Sequence, residues 1–200
     1  MALLKAMRGP LVVVSLFLLT LYLPFASTVY TPQWYTFHCS WDADCRFVEH
    51  FEPRVAAAEL AAHFRHQGAL GAAWPAEERT ALAEVRAALD GLFLVAILAF
   101  ILLLALFSRE RIATAARVNL VAVPVVVVVT GISFDTFWVN GVLPMMASGL
   151  PLSAHEGSVA ALLISGDTFR YALWFSGLVA FLINLALVWQ VKPPRRSIFR

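Results

Sequence analysis

The chain has 200 residues, 60% of them apolar, and a mean hydropathy of +0.77. Soluble domains sit nearer about 45–50% apolar, so this composition excludes an ordinary soluble domain and predicts an all-α membrane protein. A net charge of +2, without a groove-sized basic patch, argues against a nucleic-acid partner. The partners to expect are membrane lipids and other membrane proteins.

Lys5 and Arg8 precede an apolar run from Leu11 to Val29, which predicts a first span at about 11–30. A cleaved signal peptide is the rival reading, with Phe25-Ala26-Ser27 offering small residues near its end. Tyr22 and Tyr30 suit interface anchors and favour the span. Residues 31 to about 87 form a first large loop. Its opening, Trp34 to Trp41, is aromatic and β-prone. Cys39 and Cys45, the two cysteines of the chain, are expected to form a disulfide if the loop faces an oxidising compartment. A metal site with His38 and His50 is the alternative, on a spacing that matches no standard zinc pattern.

Arg54 to Gln67 is alanine-rich and reads as a helix behind Pro53, broken by Gly68 and Gly71. Glu59, His63 and His66 fall at i, i+4 and i+7 and so share one face. That face is either the wet side of a surface helix or a place for a metal or a headgroup. Trp74-Pro75 opens a further helix with Glu77 and Glu78 in its first turn, where the helix dipole favours acids. This helix is expected to run unbroken into the second span, at about 88–107, as a rigid stalk. Gly91 to Phe107 carries no charge, and Leu82, Val85, Leu89 and Leu92 extend the run backwards on one face.

A short turn then sets Arg109, Arg111 and Arg117 against Glu110. The third span, at about 117–138, holds Pro124, which kinks a helix and frees a backbone carbonyl. Gly131 and Ser133 permit close packing, and Phe134, Phe137 and Trp138 give an aromatic end. In the second loop, about 139–168, Gly141 to Met146 and Val159 to Ile164 are too apolar for a free loop and too short to span. They are expected to lie at the outer leaflet or pack on the first loop. The last span, about 169–191, has Trp174 and Trp189 near its two ends, as an aromatic belt requires. Asp135 and Asp167 mark where spans meet water, and Arg170 is placed to hold a lipid phosphate.

Charge sets the orientation. Lys5, Arg8, Arg109, Arg111, Arg117, Lys192, Arg195, Arg196 and Arg200 stand on one side against Glu110, and six arginines stand on the other against twelve acids. Short basic loops stay in the cytoplasm. Four spans with both termini cytoplasmic and helical extracytoplasmic loops follow.

The apolar runs hold amides, Asn119, Asn184 and Gln190, rather than buried acids or bases, so a transporter or channel is the weakest reading. No glycine-rich phosphate loop, paired-histidine zinc motif or Gly-x-Ser-x-Gly elbow is present, and neither a cofactor nor a metal is implied. All five histidines fall on the outer side. A neutral histidine there can act as a general base. His155, followed by Glu156 in an apolar loop, is the best-placed candidate, with His63 and His66 next; an ordinary exposed loop histidine is the bland alternative.

Two stretches carry a family resemblance. They are Trp74-Pro75-Ala76-Glu77-Glu78-Arg79-Thr80-Ala81-Leu82-Ala83-Glu84-Val85-Arg86 and Ser133-Phe134-Asp135-Thr136-Phe137-Trp138. With the four-span layout, they resemble the DUF1461 family of bacterial integral membrane proteins, which includes lipoprotein intramolecular transacylases. The resemblance implies a four-helix fold in the bacterial cytoplasmic (inner) membrane. It also implies movement of an acyl chain from a lipid-modified cysteine's glyceryl group to its amine, using two outer histidines. Those positions hold Ala81 and Val142 here, and neither side chain can move a proton. The favoured expectation is therefore a non-catalytic accessory or structural subunit of a larger membrane complex. The alternative is a membrane acyltransferase acting on lipoprotein or lipid esters at the outer leaflet.

Overall fold

The computed structural model describes residues 2–41, 52–72, 74–133, 163 and 166–190. Among them every regular element is an α-helix: α1 (Ala2–Val29), α2 (Pro32–Trp41), α3 (Pro53–Phe64), α4 (Ala76–Ala105), α5 (Arg109–Ile132) and α6 (Gly166–Gln190). Four of these, α1, α4, α5 and α6, are long and apolar enough to cross a membrane. A helix rises about 1.5 Å per residue, so each exceeds or approaches the about 30 Å of a hydrocarbon core. The four-span expectation holds.

The spans pack unequally. Helices α1, α5 and α6 pack on one another, whereas α4 packs along α1 and scarcely meets α5 or α6. Within its apolar run α4 buries only the small residues Ala96 and Ala99, which let backbones approach closely. Leu82, Val85 and Leu89 are buried, but Leu92, expected on the same face, is exposed. At the α5–α6 contact two glycines do the fitting. A Cβ on Gly177 would lie 2.6 Å from a Val127 methyl, and one on Gly131 would lie 2.7 Å from the Trp174 ring. The close packing expected at Gly131 is present.

The buried amides of this bundle donate across helices, which spares their N–H groups the cost of burial without a partner. Asn184, fully buried on α6, donates through Nδ2 to Thr20 Oγ1 of α1 (3.3 Å) and to the Ala180 carbonyl (2.8 Å). Asn119, fully buried on α5, donates to the Val13 carbonyl of α1 at 3.4 Å. Pro124 of α5 and Pro24 of α1 sit inside continuous helices; each removes a donor to the carbonyl four residues earlier. At the α4–α5 turn, Arg109 Nη2 donates to the Gln190 carbonyl at 3.4 Å. This cation meets the negative end of the α6 dipole.

At the opposite end the chain builds a small cap. Its core joins Val29, Tyr35, Ala57, Leu60, Phe64, Trp74, Leu82, Val85, Leu89 and Leu163. The Tyr35 hydroxyl donates to the Val29 carbonyl at 2.7 Å and ties α2 to the end of α1. The stretch from Trp34, expected to be β-prone, is therefore a helix: Pro32 starts it, and burial of Tyr35 outweighs aromatic strand preference. Leu163, the one described residue of the apolar Val159 to Ile164 stretch, is fully buried in the cap core. At that residue the second loop packs on the first. Helix α4 runs from the cap through its apolar stretch without a break, as the stalk expectation required.

Candidate functional site

The face shared by Glu59, His63 and His66 does not stay together: His63 is buried, Glu59 half-buried and His66 exposed. Helix α3 ends at Phe64, before either glycine. Beyond it, His66 adopts a positive φ of 58°. Its N–H donates to the His63 carbonyl (3.1 Å), and the Gln67 N–H donates to the Ala62 carbonyl (2.8 Å). That pair of bonds is a Schellman motif, with histidine in the left-handed position that glycine usually takes. The reversal swings the His66 ring away from the helix face. Its Nε2 lies 3.0 and 3.1 Å from the two carboxylate oxygens of Asp90 on α4.

Glu59 turns the other way. Its Oε2 accepts from the buried Trp74 indole N–H at 2.8 Å and from the Gly71 N–H at 3.3 Å. Trp74 is thereby satisfied in the cap core, as a buried indole requires. A Cβ on Gly71 would stand 2.9 Å from Glu59 Oε1, so glycine allows this close approach.

His63 is buried, and neither ring nitrogen has a hydrogen-bond partner in the structure. Burial first, and then the Arg86 guanidinium, hold its pKa below the usual histidine value. His63 is a buried residue whose ring lies close to Phe64 (ring centroids 5.8 Å). No group of three metal-ligating side chains occurs among the described residues.

What this arrangement can do chemically rests on His66. Asp90 is acceptor-only when ionised, so Nε2 carries the ring proton of a neutral His66. Nδ1 is then left as the basic nitrogen, oriented by a carboxylate. His66 is 56% and Asp90 45% exposed. Asp90 directly precedes the uncharged run of α4, so the pair stands where the span meets the cap. The sequence carried no signal for this partnership, since the two residues stand 24 positions apart.

Other expected residues are placed as follows. Arg170 is half-buried in the early turns of α6, and Ala81 is buried in α4. His155, Glu156, Asp135 and Val142 lie outside the described residues. The Cys39–Cys45 disulfide and the His38–His50 alternative likewise fall outside them, since Cys39 and His38 are described only as backbone of α2.

Fold and cap together define a multi-pass helical membrane protein carrying a small folded helical cap at one end of its spans. No family model, curated protein or solved structure matches the chain.

Proposed function

We propose that the chain is a non-catalytic accessory or structural subunit of a larger complex in the bacterial cytoplasmic membrane, with its cap extracytoplasmic and both termini and the basic turn cytoplasmic. The observation that supports this reading is how the cap uses its histidines. His63 is sealed in the apolar core, and His66 tethers the end of α3 to α4. The lone packing of α4 agrees with it. Leu94, Leu98, Ile101 and Leu104 leave a continuous apolar side exposed, of the kind a partner helix covers. The test is purification in mild detergent after placing a photo-reactive residue at Leu98. A stoichiometric partner chain crosslinked there is the expected result; adducts with lipid alone overturn it.

One observation favours a second reading, a membrane acyltransferase at the outer leaflet. The His66–Asp90 pair has the base-and-orienter geometry of general-base catalysis. In that reaction an amine attacks the carbonyl carbon of a lipid ester, and His66 Nδ1 takes the amine proton. The C–O bond then breaks, and the leaving alkoxide collects that proton. His66→Ala separates the two readings. A catalyst loses activity with assembly intact, and a subunit keeps its partners and shows only a small loss of stability.

A further inference from the structure

The aromatic edge of α2 lies deeper than a water-facing cap would place it. Trp34 stacks on Phe37 (ring centroids 6.5 Å, 27° between planes) and meets Phe175 of α6 (5.7 Å, 44°). The level of Phe175 can be measured along α6. At the turn end Arg109 donates to the Gln190 carbonyl, and a basic turn of this kind suits one membrane boundary. At about 1.5 Å per residue, a hydrocarbon core of about 30 Å counted from Gln190 ends near Arg170. Phe175 stands five residues inside that point, about 7 Å below the boundary by the same rise. The α1 side gives the same level. Thr20 is paired with Asn184, and Val29 and Phe175 are each nine residues from that pair towards the cap.

The surroundings of this edge are apolar and open. Phe37 is 58% and Phe175 41% exposed, although both are large apolar rings. Tyr171 on the cap side of Phe175, and Leu178, Leu182 and Leu185 below it, continue the exposed face along α6. On the other side of α2, Tyr35 is buried in the cap core. The helix thus has one side in protein and one side continuous with the lipid-facing surface of α6. Interfacial helices sit about 5–10 Å into the headgroup and acyl boundary, the depth found for Phe175. Aromatic rings are the side chains that this zone favours.

From this geometry we infer that α2 is a membrane-seated helix and that Trp34, Phe37 and Phe175 form a lipid-binding edge. The edge takes the upper acyl chain and glycerol region of a phospholipid in the cap-side leaflet. The cap is therefore held to the bilayer at two places, by α4 and by α2. This holds whether the protein is a subunit or an enzyme.

The test uses the full chain in vesicles of phosphatidylcholine and phosphatidylglycerol. Benzoylphenylalanine replaces Phe37 in one preparation and the exposed Gln33 in another. Irradiation followed by intact mass analysis is expected to add one phospholipid mass at position 37, at least fivefold more than at position 33. Equal yields, no lipid adduct, or an adduct with a second protein in native membranes would each overturn the inference. A second measurement keeps native folding in hand. Quenching of tryptophan emission should be stronger with phospholipids brominated near the glycerol end of their chains than with those brominated at the chain ends. Trp34→Phe should remove part of that difference; an unchanged difference counts against the edge.

Discussion

His66 carries two roles in one residue: it occupies a left-handed backbone position and it binds Asp90. The roles can be separated by substitution. Glycine tolerates a positive φ at no steric cost, whereas alanine does not. A side-chain contact this exposed contributes about 0–1 kcal/mol. His66→Gly should therefore lose little in thermal unfolding, and His66→Ala should lose about 1 kcal/mol more. Equal losses would mean that the backbone conformation is not what histidine supplies. His63 makes a different prediction. Its folded-state pKa is lowered by burial and by Arg86, so the unfolded chain binds a proton more readily than the folded one. Its contribution is present above the ordinary histidine pKa of about 6.5 and is lost as pH falls through that value towards the lowered one. Hydrogen-exchange protection factors in α3, corrected for intrinsic exchange, should fall over this window, and His63→Leu should flatten the response. The partnership with Asp90 was illegible in sequence because it depends on the backbone reversal at His66, and positive φ at a non-glycine residue leaves no compositional trace.

At the level of elements, the spans were legible because their signal is length and hydropathy, which tertiary context does not reverse. Helix α2 was not. Its aromatic stretch is ambivalent between strand and helix, and the deciding facts are non-local: the Tyr35 hydroxyl on the Val29 carbonyl and the ring of Trp34 on Phe175. Helix packing was legible only as permission. Gly131 was expected to allow close contact, but the tighter fit at Gly177 went unread. Val127 is β-branched, with one preferred rotamer in a helix, so it cannot swing clear of a methyl 2.6 Å away. Gly177→Ala should lower stability in detergent by about 1–3 kcal/mol, the usual range for overpacking. Gly91→Ala is the control, because a Cβ there meets nothing within 4 Å. Unfolding midpoints of the two variants measure the difference.

For the whole molecule, the partition of basic residues predicts a cap on the outer side. A cysteine introduced at the exposed Ala58 of the cap should react with an impermeant thiol reagent in intact cells. One introduced at Phe107, beside the basic turn, should react only after permeabilisation. The reverse pattern would invert the topology. This orientation also bears on the candidate site, since His66 and Asp90 stand at whichever surface carries the cap.

Helix α4 joins that surface to the basic turn as one uninterrupted rod of 30 residues, about 45 Å long. Its first turns are bolted into the cap by Leu82, Val85 and Leu89. A span longer than the local hydrocarbon answers a thinner bilayer by tilting, at a cost of fractions of a kcal/mol per ångström. Here the tilt has no hinge in which to be absorbed among the described residues. A tilt of α4 would therefore be passed straight to the cap, whose core is also fixed to the end of α1 through Val29 and Tyr35.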